Sequence, residues 1–327
     1  MQVNVTTGEL SSVIEGNSII GLAQADRGEQ LYGFMQATLL DPAQLFAKRG
    51  AETVELTQLN SWLADVPRCA VEEVWFTSGD GYKLQGWIMT PPDFDPSQQY
   101  PSIMEIHGGP QAQYANFYMH EFNYLASQGF VVYFSNPRGG LGYGNAHSRA
   151  IHGKWGSVDF DDLMAWADYM EQQPYIDPTR MGVTGGSYGG LMTSMIIGRT
   201  NRFTAAAAQR SVTNWTSMYG TADFNHAWEM LCGDPAPWED IETNWKHSPI
   251  SYIGNATTPT LVIHSLNDFR TNFEQSEILY VALKKLGVDT EMVVFPDESH
   301  GLSRGGRTDR RIARLEHMAR WFNKYLK

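Results

Sequence analysis

The sequence predicts an α/β fold, in which helices cover both faces of a mostly parallel central sheet. From residue 69 onward, short apolar runs alternate with longer segments in which apolar residues recur every three or four positions. The short runs have the length of buried strands, and the recurrence in the longer segments is that of helices with one apolar face. Strands that alternate with helices in this way are typical of parallel sheets, because successive parallel strands need a covering crossover.

This region opens with a hairpin and continues with six further strands. The strands VEEVWFT and YKLQGWIM flank the turn Ser78-Gly79-Asp80-Gly81, which is a good hairpin signal. Later strands are predicted at residues 102–107, 129–134, 181–185, 205–209, 260–265 and 291–295. Helices are predicted near 120–127, at 188–198, and on three apolar faces formed by Phe160, Leu163, Met164, Ala167 and Met170, by Ile278, Leu279, Ala282, Leu283 and Leu286, and by Ile312, Leu315, Met318, Ala319, Phe322 and Tyr325.

Residues 1–67 have a different texture, that of short strands separated by turn residues. Strands are predicted at Val3–Val5, Ser18–Ala23 and Leu31–Thr38, with breaks at Gly8, Gly16–Asn17 and Gly28 and turns at Asp41–Pro42 and Lys48-Arg49-Gly50. Strands of this total length amount to one blade or less of a repeat structure, and the sequence contains no second copy. We therefore expect a short β segment and linker at residues 1–67 and an α/β domain at residues 68–327.

The composition indicates a globular protein and argues against a nucleic-acid binder. The chain has 327 residues, of which 42% are hydrophobic and 18% charged, so it can bury a sizeable core. Its formal net charge is −12, whereas a nucleic-acid binder needs a basic face to neutralise phosphates. We expect no nucleic-acid partner.

Cysteine usage and the apolar profile indicate a cytoplasmic protein. Cys69 and Cys232 are too few for a disulfide framework and are expected to be buried thiols, and no Cys/His spacing suggests a metal site. The N-terminus has no basic flank before an apolar stretch, and no apolar run reaches the length of a membrane span. We expect neither a secretory signal nor a membrane partner.

The motif Gly185-Gly186-Ser187-Tyr188-Gly189-Gly190 has the form G-x-S-x-G and lies between a predicted strand and a predicted helix. In that context the glycines allow a turn so tight that the serine is strained and its hydroxyl projects above the sheet. A phosphate-binding loop would need a lysine after the glycines, and none follows. The motif therefore predicts the α/β-hydrolase fold with Ser187 as nucleophile.

A serine hydroxyl needs a base, and in this fold the acid and then the histidine follow the serine in the chain. His300 lies in the loop between the last strand and the last helix, from which its ring can reach Ser187. His107 comes too early in the chain, His264 suits a supporting role at the end of a strand, and His317 lies on the closing helix. We expect His300 to be the base.

The acid should follow the preceding parallel strand, and Asp268 lies in the loop after residues 260–265. Its work would be to fix the tautomer of His300 and to stabilise the imidazolium. Asp297 and Glu298 are nearer to His300 in sequence but are expected to be solvated loop charges, and Arg270 is expected to form a structural ion pair.

An oxyanion intermediate needs two backbone N–H donors. One is expected from Tyr188, directly after the nucleophile, and the other from the loop His107-Gly108-Gly109-Pro110, where this fold places its donor loop. We favour Gly109, with Gly108 as the alternative.

Five ordered motifs, IHGGPQAQY, NPRGGLGYG, TGGSYGG, HSLNDFR and PDESHGLSR, resemble the catalytic domain of the prolyl oligopeptidase family. They are most similar to its acylaminoacyl-peptidase-like or dipeptidyl-peptidase-like branch, and the match runs from about residue 68 to the C-terminus. The resemblance implies hydrolysis of short peptides or acyl-peptides through an acyl-enzyme, without a metal or organic cofactor.

The resemblance also implies that residues 211–219 shape the pocket for the residue before the scissile bond. Val212, Trp215 and Met218 would then line that pocket beside Tyr188. Alternatively these three side chains are only part of the core, and the sequence does not choose between the two.

Relatives of this kind carry a complete β-propeller that caps the active site and admits only small peptides. Here residues 42–46 and 56–60 resemble only the last propeller strands and the linker to the hydrolase domain. We expect either a fragment of a longer protein or a natural short form, without that substrate filter. The apolar face left by the missing blades could drive self-association into a homo-oligomer.

Two other functions stay open at this point. A general carboxylesterase would use the same serine, histidine and acid. Truncation could instead leave an inactive binding or assembly module.

Overall fold

A computed structural model describes residues 1–15, 18–26 and 30–327 of the chain. It divides into two compact units. The first is formed by Met1–Arg68 with Ala115–His120, and the second by Cys69–Tyr114 with Glu121–Lys327.

The first unit is built from antiparallel strands. They are β1 (Gln2–Val3), β2 (Leu10–Ser11), β3 (Ser18–Asp26), β4 (Leu31–Ala37), β5 (Gln44–Arg49) and β6 (Glu52–Glu55). β1 pairs with β2, and β3 to β6 form a four-stranded sheet in chain order.

Two predictions for this unit are wrong. The strand predicted at Val3–Val5 ends at Val3, because Asn4 opens a turn in which its carbonyl accepts the N–H of Gly8 at 2.7 Å. Lys48-Arg49-Gly50 is not a turn throughout, since its first two residues belong to β5 and the chain reverses at Gly50, where φ is +57°. The predicted breaks at Gly16–Asn17 and Gly28 lie outside the described residues.

The second unit is organised around an eight-stranded sheet. Its strands are β7 (Ala70–Thr77), β8 (Lys83–Thr90), β9 (Tyr100–Ile106), β10 (Val131–Ser135), β11 (Ile176–Gly186), β12 (Ala205–Gln209), β13 (Thr260–Ser265) and β14 (Thr290–Phe295). The order across the sheet is β14-β13-β12-β11-β9-β10-β8-β7. Strands β9 to β14 are parallel, and the hairpin β7–β8 is joined antiparallel to β10.

Helices connect the strands of this sheet. They are α1 (His120–Ser127), α2 (Asn145–Ser148), α3 (Val158–Glu171), α4 (Tyr188–Arg199), α5 (Trp215–Thr221), α6 (Trp228–Cys232), α7 (Ile241–His247), α8 (Glu274–Lys285), α9 (Leu302–Gly305) and α10 (Thr308–Leu326). The sequence predicts none of α2, α5, α6, α7 and α9, because helices of four to seven residues are too short to show an apolar period.

Side chains alternate between the two faces of the sheet along each strand, and helices pack against both faces. Tyr133 of β10 belongs to the apolar cluster that α3 and α4 complete on one face. Its neighbour Phe134 points to the other face, where its ring centroid lies 4.5 Å from that of Phe122 in α1. The predicted fold class is confirmed. Two residues predicted on buried helix faces, Leu286 and Ile312, are instead 43% and 51% exposed.

In the described ranges 1–15, 18–26 and 30–327, no helix has both the length and the apolar character that a membrane span requires.

Close packing of α10 on the sheet depends on Gly182 in β11. A Cβ atom there would lie 2.8 Å from Cε1 of Phe322 and 3.0 Å from Cδ1 of Leu326. We predict that Gly182→Ala lowers the free energy of unfolding by about 1–3 kcal/mol, because α10 must move away from the sheet. Urea unfolding measures the change.

Gly254→Ala is the matched control, because a Cβ atom there meets no atom within 4 Å. We expect it to leave the free energy of unfolding unchanged or to raise it by up to about 1 kcal/mol. Equal losses in the two variants would contradict the prediction.

Candidate active site

Ser187 lies at the tight turn between β11 and α4. Its backbone is strained, with φ +63° and ψ −121°. A Cβ atom on Gly185 would lie 2.6 Å from the carbonyl oxygen of Ile106 in β9, and one on Gly189 would lie closer still to the same oxygen. Only glycine at both positions lets the turn pack against β9.

The structure brings His300 and Asp268 to this serine. His300 follows β14, and its Nε2 lies 2.9 Å from Oγ of Ser187. Its Nδ1 lies 2.7 Å from Oδ2 of Asp268. Because an ionised carboxylate can only accept, Nδ1–H donates to Asp268 and leaves Nε2 to accept from the serine hydroxyl.

Backbone groups hold Asp268 in place. Its Oδ1 accepts the N–H groups of Arg270 at 3.0 Å and Thr271 at 2.9 Å, and its Oδ2 accepts the hydroxyl of Thr271 at 3.1 Å. Burial pushes the pKa of Asp268 upward, but the hydrogen bonds and charge of His300 and the amide of Thr271 outweigh it and leave the pKa lowered. The carboxylate is therefore ionised near neutral pH.

Burial lowers the pKa of His300 below its ordinary value, although Asp268 opposes that shift. The ring is therefore mostly neutral near neutral pH, which is the state that can accept a proton.

The candidate donor loop lies beside the nucleophile. Gly108 and Gly109 line the same cavity as Ser187 and Tyr188. A Cβ atom on Gly108 would lie 3.0 Å from the carbonyl oxygen of Gly186 and 3.4 Å from Cβ of Ser187. Gly109 has φ +124°, which a side chain would strain. The choice between the two glycines as donor stays a prediction.

A cavity of about 540 Å³ opens in front of Ser187. Val212, Trp215 and Met218 line one wall beside Tyr188, and all three are also buried. Sequence reasoning missed further apolar lining residues, among them Trp155, Leu191, Phe224, Leu231 and Cys232. They come from segments that lie far apart in the sequence, so only the fold brings them together.

Buried hydrogen bonds fix the two tryptophans of that wall. Trp155 donates its indole N–H to the carbonyl of Cys232 at 2.9 Å. Trp215 donates to the buried carboxylate of Asp234, which also lies 3.0 Å from Nδ1 of His247. These hydrogen bonds restrict the orientation of both indole rings.

Three arginines, Arg210, Arg270 and Arg304, also line the cavity, and no aspartate or glutamate is among the described residues that line it. Arg270 pairs with Asp223 at 2.5 Å, as predicted for a structural ion pair. The guanidinium of Arg210 packs on Gly186, and burial lowers its pKa to about 10. Sequence reasoning missed Arg210 and Arg304.

Other histidines near the sheet have structural partners. Nδ1 of His107 lies 2.7 Å from the carbonyl of Gly108, and burial lowers its pKa to about 4. His264 contacts Oγ of Ser276 and the carbonyl of Thr271, which matches its predicted supporting role.

One loop prediction is wrong, because Glu298 is not a solvated charge. Its side chain is buried and accepts the N–H of Arg307 at 3.1 Å, so it pins the loop after β14 to the start of α10. Asp297 is exposed. Cys69 and Cys232 are buried thiols, as predicted.

Within the described part of the chain, no group of three or more His, Cys, Asp or Glu side chains is arranged to hold a metal ion.

A mostly parallel sheet with a serine at a strained strand-to-helix turn is the architecture of the α/β-hydrolase class. The family model for the prolyl oligopeptidase family matches residues 115–327. The chain belongs to this family of serine peptidases.

Individual relatives align with more of the chain than the family model does. The uncharacterized peptidase YuxL of Bacillus subtilis is 41% identical over 288 residues, covering 87% of this chain and 44% of that protein. Dipeptidyl-peptidase 5 of Porphyromonas endodontalis is 28% identical over 338 aligned residues, covering 99% of this chain and 46% of that protein. A solved acylaminoacyl peptidase in complex with Z-Gly-Gly-Phe-chloromethyl ketone has a TM-score of 0.91 at 29% identity, covering 98% of this chain and 52% of that one. The chain spans about half the length of these relatives.

We predict that the pKa of His300 lies below the ordinary histidine value of 6.5, because burial disfavours the imidazolium. Asp268→Asn should lower it further, since it removes the charge that favours the imidazolium. NMR titration of the ring protons, assigned with His300→Gln, measures both values. A pKa that rises in Asp268→Asn would contradict this account.

Proposed function

We propose that this chain hydrolyses short or N-acylated peptides through an acyl-enzyme, with Ser187 as nucleophile, His300 as base and Asp268 as the residue that orients the base. The observation that supports this most is the continuous contact from Oγ of Ser187 through His300 to Asp268, at 2.9 Å and 2.7 Å. Relatives of this chain include proteins named dipeptidyl-peptidase 5 and acylaminoacyl peptidase.

In the first half of the reaction, Nε2 of His300 takes the hydroxyl proton as Oγ of Ser187 attacks the scissile carbonyl carbon. The carbonyl oxygen becomes an oxyanion, which the backbone N–H groups of Tyr188 and Gly109, with Gly108 as the alternative, would stabilise. Asp268 stabilises the imidazolium without taking its proton. His300 then gives that proton to the leaving amine as the C–N bond breaks.

In the second half, water attacks the acyl-enzyme. His300 takes a proton from the water, a second oxyanion forms at the same donors, and the C–O bond to Ser187 breaks. The proton passes from His300 to the serine oxygen, so both residues return to their starting states. The sum is one peptide bond and one water consumed, with one carboxylic acid and one amine formed.

The cavity supports a division of the substrate into two parts. Its aromatic and aliphatic wall, which includes Val212, Trp215 and Met218, suits a large apolar side chain before the scissile bond. Arg210 and Arg304, which line it, disfavour a free α-ammonium group, because like charges repel in a site partly shielded from water. Together these features favour an acylated N-terminus over a free one.

We also propose that residues 68–327 form the catalytic domain and that residues 1–67 correspond to the end of a β-propeller with its linker. The four-stranded antiparallel sheet β3–β6 has the strand number and order of one propeller blade.

Ser187→Ala should abolish labelling by a fluorophosphonate and turnover of acyl-peptide p-nitroanilides, because it removes the attacking oxygen. A loss of at least about 10³-fold in kcat is expected. Mass spectrometry of the labelled peptide and anilide release measure the two effects. Ser299→Ala, which changes an exposed serine beside His300, should keep both.

Simple p-nitrophenyl esters separate the alternatives. Ser187-dependent cleavage of esters without cleavage of anilides would replace the peptidase by a carboxylesterase. Purified wild-type chain that neither labels nor turns over either substrate would leave the inactive module.

The charge at the substrate's N-terminus should also affect the rate of cleavage. We predict that acetyl-Ala-Phe p-nitroanilide has a kcat/KM at least about tenfold above that of free Ala-Phe p-nitroanilide at neutral pH, because the arginines on the cavity lining repel the ammonium. Arg304→Gln should narrow this ratio. Arg307→Gln, three residues further along the chain but paired with Asp309, is the control and should preserve it. Equal or faster cleavage of the free-amine substrate would contradict the preference.

A further inference from the structure

A buried carboxylate holds the side chain of the residue that follows the nucleophile. Tyr188 is 2% exposed, and its hydroxyl donates to Oδ2 of Asp159 at 2.8 Å. Asp159 lies in the first turn of α3 and has no solvent exposure. The same oxygen accepts the N–H of Gly156 at 3.2 Å. The contact therefore ties the start of α4 to the start of α3 beneath the cavity.

Burial of the Asp159 carboxylate carries a desolvation cost. The hydrogen bonds on its carboxylate come from uncharged donors, the hydroxyl of Tyr188 and backbone N–H groups. Burial raises its pKa to about 6 in spite of these bonds. A carboxylate without a cationic partner stabilises a core poorly, and an apolar side chain of similar volume would serve packing better. Stability alone does not account for it.

The position of Tyr188 gives the contact a second effect. Its ring lines the cavity and meets Trp155 edge to face, with centroids 5.5 Å apart. Its backbone N–H is the proposed oxyanion donor at the first residue of α4. Because ring and N–H belong to one residue, anchoring the phenol restricts both the cavity wall and the direction of that N–H. An oxyanion donor acts only when it is aimed before the charge develops.

We propose that Asp159 is a positioning residue for the hydrolytic reaction and acts through the hydroxyl of Tyr188. It touches neither the substrate nor the reacting atoms. Because the oxyanion role of Tyr188 belongs to the proposed function, the inference rests on that function, and its test must separate the two.

A double-mutant cycle tests the coupling. The variants are Asp159→Leu, Tyr188→Phe, the double variant, and Asp159→Asn, whose amide oxygen can still accept from the phenol. Asp159→Leu and Tyr188→Phe should each lower kcat by about tenfold or more with KM within about threefold, because the donor is misaimed rather than removed. The double variant should be no slower than either single variant, and Asp159→Asn should stay within about threefold of wild type.

Active-site titration with the fluorophosphonate normalises kcat to folded, reactive enzyme. Losses that multiply in the double variant would overturn the coupling through Tyr188. So would an Asp159→Asn variant as slow as Asp159→Leu, or an Asp159→Leu variant whose normalised kcat equals that of wild type.

The rate of phosphonylation at Ser187 repeats the cycle without a peptide. If the wild type reacts with the fluorophosphonate but cleaves no anilide, the peptidase proposal fails, and the four labelling rates still decide on Asp159. Absence of any reaction at Ser187 in the wild type would overturn both.

Discussion

The turn between β11 and α4 is the constraint on which the rest of the site depends. Gly185 and Gly189 both press against the carbonyl oxygen of Ile106, so the turn forms only where β9 lies beside β11. Strand β9 also leads directly into the loop that carries Gly108 and Gly109. Strands β12, β13 and β14 follow on the other side, and their carboxyl ends deliver Arg210, Asp268 and His300 to the same edge. Strand order, more than local sequence, assembles the cavity.

Beneath this edge lies a buried polar network that joins three elements. Arg314 of α10 contacts both carboxylate oxygens of Glu121 in α1, at 3.0 Å and 2.8 Å, and the amide oxygen of Gln209 at 2.5 Å. Gln209 ends β12, directly before Arg210. Burying such charges costs free energy unless their geometry is well satisfied, so the network specifies one arrangement of these elements rather than adding much stability. Glu105 lies close by, and burial together with Glu121 raises its pKa.

Sequence reasoning reached the fold class and the serine, histidine and aspartate that meet at this edge, because each follows a strand in a motif of known order. It could not reach Trp155 or Phe224, whose segments carry no periodic or motif signal. Arg304 ends the motif PDESHGLSR, but only the fold shows that it lines the cavity. The prediction that Glu298 is solvated is wrong because the sequence around it does not show that the start of α10 contacts its side chain. The end of strand β5 is wrongly predicted as a turn because Lys48 and Arg49 are polar, as loop residues commonly are. Local pattern identifies elements, whereas burial depends on what packs over them.

The triad candidates, the donor loop and the described residues that line the cavity belong to one compact unit. In the proposed function, selection within the cavity rests on two kinds of lining residue. The apolar wall distinguishes substrates by size, and one methylene there is worth only about 1–3 kcal/mol of discrimination. Under the proposed function, the lining arginines distinguish substrates by charge, which acts over a longer range in a site partly shielded from water. Charge at the substrate's N-terminus should then decide more than the size of the side chain, and that asymmetry is the reason for proposing an acyl-peptide over a free dipeptide.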